Sequence, residues 1–421
     1  MGSCFSSQST SEESLAMPPD IESIVYKKTS PGSPNSVVDG RNQGNMQQQQ
    51  QQLHRIRDRM FLNGSTQCAS LFSRQGNKGT NQDAMIVWEN FGLKSDAVFC
   101  GIFDGHGPSG HLVAKSVRDS LPVKISTQWE VDTKKNNDLR GINLNTSGSM
   151  KCKSTSFLIA DELARESVHI DETDKQSDFV QTLKDSFMKS YEAMDRELKM
   201  YTNIDCFCSG TTAVTLVKQG QNLVIGNVGD SRAIMGTRAE DNSITAIQLT
   251  VDLKPNLQEE AKRIQGCKGR VFARPDEPEV LRVWLPNNDF PGLAMSRALG
   301  DFCLKTFGLI SVPEMFYRRL TRKDEFVVLA TDGVWDVLSN DEVVDIVASV
   351  PLHSQAAQAL VESAVHAWKD KYPTSKVDDC AVVCLFFNSN NLYSASATLS
   401  PEKMMQKCVA SGTKKDPVGT I

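Results

Sequence analysis

Carboxylates stand at the ends of the most apolar stretches of this chain. "VFCGIF" runs into Asp104-Gly105-His106, "EFVVLAT" runs into Asp332-Gly333, "CAVVCLFF" follows Asp379, and a fourth acid, Asp83, begins "DAMIV". Any one of these steps is ordinary turn chemistry, because Asp and Gly favour turns. Together they carry more weight if the runs are strands of antiparallel sheets, since the ends and starts of neighbouring strands meet at one edge. Carboxylates gathered there repel one another and are costly to bury without a cation. Oxygen-only ligands suit Mg²⁺ or Mn²⁺. Two such ions about 3.5–4 Å apart can activate a water between them and clamp a phosphoryl group. His106 has the chemistry to protonate a leaving oxygen, and glycine lets backbone and substrate approach closely.

The elements that must hold these residues follow from periodicity. "DAMIVWENF" and "DAVFCGIF" read as successive strands joined by a polar turn. Helix character follows over residues 109–121, and the polar stretch from about 128 to 155 reads as a surface insertion. Phe179, Val180, Leu183, Phe187, Tyr191, Met194 and Leu198 recur every three or four residues, the apolar stripe of a helix packed on a core. "TTAVTLV", "NLVIGNV", "RAIMG" and "ITAIQL" are short strands separated by turn signals, a spacing that favours antiparallel pairing. A helix is expected near 258–265, "EVLRVWL" reads as a strand, and two helices are expected at 340–349 and 354–370, before the last strand. Several strands flanked by a few long helices point to a layered α+β fold, a central antiparallel β-sandwich covered by helices on both faces.

Composition bounds the function. The chain has 421 residues, and 46 basic against 51 acidic side chains leave a formal net charge of −5. That balance argues against a nucleic-acid partner, which usually meets a basic face. The 11 cysteines are scattered, several within apolar runs, as expected of reduced thiols in an intracellular protein rather than a disulfide framework. Cys206 and Cys208 are too close for a zinc pair and read as packed or exposed thiols. No run is apolar enough to span a bilayer. Residues 1–57, rich in Ser, Pro, Asn and Gln, have a disordered composition, and the tail from about 390 to 421 reads as a flexible end. "MGSCFS" fits the myristoylation pattern, with Gly2 the acceptor and Cys4 a neighbouring palmitoylation site. One myristoyl chain binds membranes with K of only about 10⁴ M⁻¹, so the second lipid matters. Two lipids would place the protein at the cytoplasmic face of the plasma membrane, against a location in cytoplasm and nucleus without them.

Seven motifs in order, "VFCGIFDGHGPSG", "SGTTAVTLV", "GNVGDSRA", "LTVDLKPN", "LAMSRALGD", "LATDGVWDVLSN" and "DDCAVVCLFF", resemble the type 2C metal-dependent serine/threonine protein phosphatases (the PPM family), over roughly residues 73–387. "GNKGTNQDAMIVWE" and the lipidation pattern are most similar to the plant branch. The resemblance implies a catalytic domain over 58–389 with helices on both outer faces of a β-sandwich. It implies two Mg²⁺ or Mn²⁺ ions at one end. Asp104 would touch both, the Gly105 carbonyl would bind one, Asp332 and Asp379 would complete the first set, and Asp83 would act directly or through water. His106 would be the general acid, and a water bridging the two ions would attack phosphorus in line. Partners would be phosphoproteins, kinases among them, and the enzyme a monomer that restrains kinase signalling.

The chain departs from the family's pattern at three places. Lys78 stands where an arginine often holds the substrate phosphate, binding it as a point charge rather than a planar fork. Gln82 stands where many members have Glu. Phe207 falls where animal members place an aspartate for a third metal, so Asp205 with Asp336 would have to frame that site. Asp230 and Arg232 of "GDSRA" are expected to pair or to anchor turns. Ser296 and Arg297 are expected to order a flap beside Asp301. Two rival functions differ in class. A pseudophosphatase would use the fold to bind and block a kinase and would lack a metal-ligating carboxylate, none of which is missing here. A hydrolase of small phosphate esters would share the same site and differ only in what it accepts.

Overall fold

The computed structural model describes residues 58–145 and 172–387, with side chains at 58–136 and 178–387. Gly2, Cys4 and the expected C-terminal tail beyond 390 lie outside these residues. Two mixed-length antiparallel sheets stack face to face. The first has the order β1 (Arg59–Met60), β4 (Asp83–Glu89), β5 (Ala97–His106), β7 (Ala213–Gln219), β8 (Asn222–Val228), β15 (Glu314–Arg319), with β6 (Gly210–Thr211) and β14 (Leu299–Gly300) joined at the end of β5. The second has the order β10 (Ile244–Gln248), β9 (Arg232–Arg238), β16 (Asp324–Ala330), β17 (Cys380–Phe386), β3 (Ala69–Arg74), β2 (Gly64–Ser65).

Side-chain alternation with a period of two decides which face each residue serves. On β5, Cys100 and Ile102 point between the sheets, where they meet Val327, Leu329, Val383 and Leu71. Phe99 and Phe103 point the other way, onto the helices α1 (Gly110–Asn145) and α2 (Glu172–Leu198). On the second sheet, Val328, Val382 and Cys384 face α6 (Asn340–Ser349) and α7 (Ala356–Lys371). The result is four layers, helix–sheet–sheet–helix, as the patterning implies. The α6 start is fixed by a reciprocal cap in which Ser339 and Glu342 satisfy each other's backbone amides.

Two expectations change. Helix α1 does not stop at residue 121. It passes through Pro122, which removes one backbone hydrogen bond, and runs into the segment expected to be a surface insertion. Leu121, Ile125 and Trp129 fall four residues apart and are all buried. Trp129 stacks on Phe91 at 6.3 Å and meets Phe179 edge-on at 5.8 Å. Burying three large side chains at about 1.5–3 kcal/mol each outweighs a proline cost of about 3 kcal/mol. The α2 stripe is as expected, with Leu183, Phe187, Tyr191, Met194 and Leu198 all buried. The second change is a separate three-stranded ribbon, β11 (Arg270–Arg274), β12 (Glu277–Leu285) and β13 (Asn288–Leu293), of which only the β12 region was legible as a strand. Short helices α3 (Gln258–Gly266), α4 (Phe302–Lys305) and α5 (Asp332–Trp335) complete the chain.

Candidate metal and phosphoryl site

Register brings the acids together. In the β4–β5 pair, Asp83 lies directly opposite Asp104. In the second sheet Ala330 pairs with Val382, so the residues that follow β16 and precede β17, Asp332 and Asp379, emerge at the same edge. The sheets are joined there by Thr331, whose hydroxyl donates to Asp83 Oδ2 at 2.8 Å while accepting the Ala381 amide at 3.0 Å. Asp379 accepts the Gly76 and Gln82 amides, each at 2.8 Å, which ties both loops to the site.

The glycines after the aspartates are needed for space. A Cβ on Gly333 would lie 1.9 Å from the Asp379 carbonyl, and one on Gly105 would lie 2.4 Å from the Gly110 carbonyl and 2.7 Å from that of Gln82. The Asp-Gly steps are therefore where two strand ends pass at backbone contact, and not simple turns.

Asp104, Gly105, Asp332 and Asp379 line one small cavity of about 20 Å³, together with Lys78, Thr80, Gln82 and Asp378. That is about the space one water or ion needs. Asp83 sits behind it, held by Thr331. Burial holds the Asp83, Asp104 and Asp332 carboxyls well above the usual carboxylate range, and the neighbouring acids push them further. Asp379 is raised by burial, against its two amide donors. Among the described residues no three acidic, histidine or cysteine side chains stand close enough together to hold a metal ion as they are placed, and Asp104 is the neighbour whose charge weighs most on Asp332. The donor set, carboxylate and carbonyl oxygens only, fits a hard divalent cation.

The remaining predicted residues separate. Lys78 reaches the cavity and pairs with Asp378, an acid that sequence reasoning passed over because its neighbour Asp379 filled the pattern. Gln82 turns its side chain to the Gly107 carbonyl at 3.1 Å. Asp205 accepts the Phe207 and Cys208 amides at 3.0 and 3.2 Å, the work of a turn. Asp336 follows α5 and adds its charge to that of Asp230 and Asp332. Asp230 and Arg232 do not pair with each other. Arg232 forms a two-point bridge to Asp252 at 2.9 and 2.6 Å. Asp230 is 1 % exposed, lies 3.5 Å from Lys254, and neither of its oxygens has a hydrogen-bond partner. Ser296 and Arg297 reach away from Asp301 to Glu260 of α3, at 2.6 and 2.7 Å.

His106 is buried, and its Nε2 lies 2.6 Å from Asp301 Oδ2; the Nδ1 atom has no partner in the protein. Asp301 is placed by pairing of the 299–303 segment against 206–211, with its amide donating to the Ser209 carbonyl at 2.9 Å. A Cβ on Gly210 would fall 2.0 Å from Asp301 Oδ2 and 2.7 Å from His106 Nε2, so only glycine leaves room for this pair.

A β-sandwich between helix layers, with acids meeting at one sheet edge beside a lysine and a histidine, is the plan of a metal-dependent protein phosphatase. Residues 152–369 match the family Protein phosphatase 2C. Relatives extend the match over the parts of the site that this span leaves out. A probable protein phosphatase 2C (33) of Arabidopsis thaliana is 55% identical over 96% of this chain and 83% of its own length, and another (66) of Oryza sativa is 60% identical over 80% of this chain and 63% of its own. A serine-threonine phosphatase 2C from Toxoplasma gondii superposes with a TM-score of 0.65, covering 79% of this chain and all of its own, at 23% identity; that likeness is one of fold. The chain belongs to the protein phosphatase 2C family, metal-dependent hydrolases of phosphoserine and phosphothreonine.

Proposed function

We propose that the site hydrolyses phosphoserine and phosphothreonine in proteins through two divalent cations, Mg²⁺ or Mn²⁺. The observation that carries this is the single cavity shared by Asp104, Asp332 and Asp379, three acids from three strand ends. Asp104, Asp332 and Asp379 would hold one ion, and Asp104 with the Gly105 carbonyl the other; Asp83 and Gln82 would act from behind. When bound, the ions neutralise phosphoryl oxygens and make a water nucleophilic. Lys78, at the rim, attracts the phosphate and neutralises part of its charge. His106 would hand a proton to the departing seryl or threonyl oxygen; Asp301 occupies Nε2, which leaves Nδ1 as the nitrogen to donate it. Asp205 and Asp336 would frame a third ion through Asp205 Oδ2, since both amides of the 205–208 turn go to Oδ1.

The test is release of inorganic phosphate from a phosphothreonine peptide with Mn²⁺ and with EDTA. Turnover that needs the metal and disappears in Asp332→Asn supports the proposal. Turnover equal in EDTA would overturn it, and so would an inert wild type. An inert chain that still bound kinases tightly would favour the pseudophosphatase. Kinase substrates, restraint of kinase signalling, a monomeric state and tethering through Gly2 and Cys4 complete the proposal. A Gly2→Ala variant that stayed at the membrane would refute the tether.

A further inference from the structure

Beyond His106 a second and much larger cleft opens. It holds about 560 Å³, within the roughly 300–1,000 Å³ of ligand clefts. One wall is the catalytic loop, His106 to Pro108 with Asp301; the other is the inner face of the β11–β13 ribbon. We infer that this cleft receives the substrate polypeptide itself, and that it selects phosphoproteins with a bulky apolar residue next to the phosphorylated one. The inference rests on the phosphatase proposal and deepens it.

The occupant follows from the order of the parts. The phosphoryl group belongs outside the small cation cavity, beside Lys78 at its rim, and the leaving oxygen must face His106. That oxygen is the side-chain oxygen of the substrate's own Ser or Thr. The rest of the substrate chain must therefore lie past His106, where the cleft begins at Gly107 and Pro108.

The lining sets the preference. Phe272 and Trp284 stack at 5.0 Å on the ribbon, and Phe290 and Pro291 form the outer part, with Phe290 43 % exposed. An aromatic of that size left open to solvent gains by being covered. The charges at the rim are already balanced. Arg274 bridges to Asp276 at 2.7 Å and Arg270 to Asp289 at 2.8 Å. Neither an acidic nor a basic neighbour would find a strong complement there, whereas an apolar one would.

The wall is built before substrate arrives. The Trp284 indole donates to the Phe272 carbonyl at 2.9 Å. Buried Arg282 clamps the Gly292 carbonyl at 2.9 Å and Glu277 at 2.6 Å. Gly292 has φ +74°, and a Cβ there would strike the Trp284 ring at 2.6 Å. A preformed wall loses little entropy on binding.

The experiment compares kcat/KM for phosphothreonine peptides that carry Leu, Ala or Asp at each flanking position, each divided by the value for p-nitrophenyl phosphate, which has no chain to enter the cleft. The wild type should favour Leu over Asp by about tenfold or more at one or more flanking positions, the scale of one apolar group in a pocket. Phe290→Ala should shrink that preference to about twofold, and Phe290→Trp should keep it. Equal turnover of all peptides by the wild type, or a preference untouched in Phe290→Ala, would overturn the inference while leaving the phosphatase proposal standing. A wild type inert toward the peptides and p-nitrophenyl phosphate alike would overturn both.

Discussion

His106 and Asp301 are 195 residues apart in sequence and 2.6 Å apart in space, both buried and both in the wall of the larger cleft. The contact leaves one imidazole nitrogen bound to a carboxylate and the other, Nδ1, buried without a hydrogen-bond partner. Asp301 acts through the ring and not on the substrate. If so, Asp301→Asn should lower kcat for a phosphothreonine peptide about 10- to 100-fold, part of the 10²–10⁴ that general acid catalysis contributes. Turnover of p-nitrophenyl phosphate, whose nitrophenolate leaves without help, should fall much less. Equal losses on the two substrates would mean that Asp301 only supports the fold.

A second prediction concerns the cost of gathering acids. An acid whose folded pKa is raised loses stability as pH climbs above its unfolded value, because the unfolded chain releases a proton that the folded one keeps. Burial and neighbouring acids raise Asp104 in this way. Without metal, Asp104→Asn should therefore melt about 2–4 °C above wild type at pH 7, with the gap closing toward pH 4. Mn²⁺ should raise the wild-type melting temperature and leave the variant's unchanged. A variant less stable than wild type in EDTA would refute this.

Glu260 has the opposite sign. It is buried, which by itself would raise it. Arg263, Arg297 and Ser296 outweigh that and hold it down at about 2. A depressed acid contributes stability that is present above the unfolded value near 4.3 and is lost as pH falls through the folded one. Glu260→Gln should melt below wild type at neutral pH, and the difference should narrow between about pH 4.3 and 2. Parallel melting curves over that range would show that the bridge contributes nothing.

Trp129 tests how far α1 is part of the core. Trp129→Ala should cost about 3–5 kcal/mol in urea unfolding. A loss under 1 kcal/mol would return the segment to the surface role that its polarity implies.

What could be read in the sequence were the features written locally. Asp104, Asp332 and Asp379 stood out because apolar runs of strand length end or begin at them, and edge pairing did the rest. The α2 stripe was legible because its spacing repeats for five turns. Pairings across long stretches of chain were not legible. Asp301 lay in a quoted motif, yet its role depends on the register between 299–303 and 206–211, which no local pattern records. Arg232 was as close to Asp230 as a partner can be, but β9 carries it to Asp252, and Asp230 is left to Lys254. Asp378 hid behind its neighbour, since two adjacent acids look alike until one pairs with Lys78 and the other with backbone amides. Past Pro122, a run of Lys, Asn and Asp outweighed the widely spaced Ile125 and Trp129 that hold the helix down.

A crystal grown with Mn²⁺ and measured at the manganese absorption edge would show whether Asp104, Asp332 and Asp379 hold divalent cations. Anomalous peaks are expected in the cavity beside Lys78, with Asp104 as a ligand. Full-occupancy Mn²⁺ found only elsewhere, out of reach of all three carboxylates, would contradict the two-cation site.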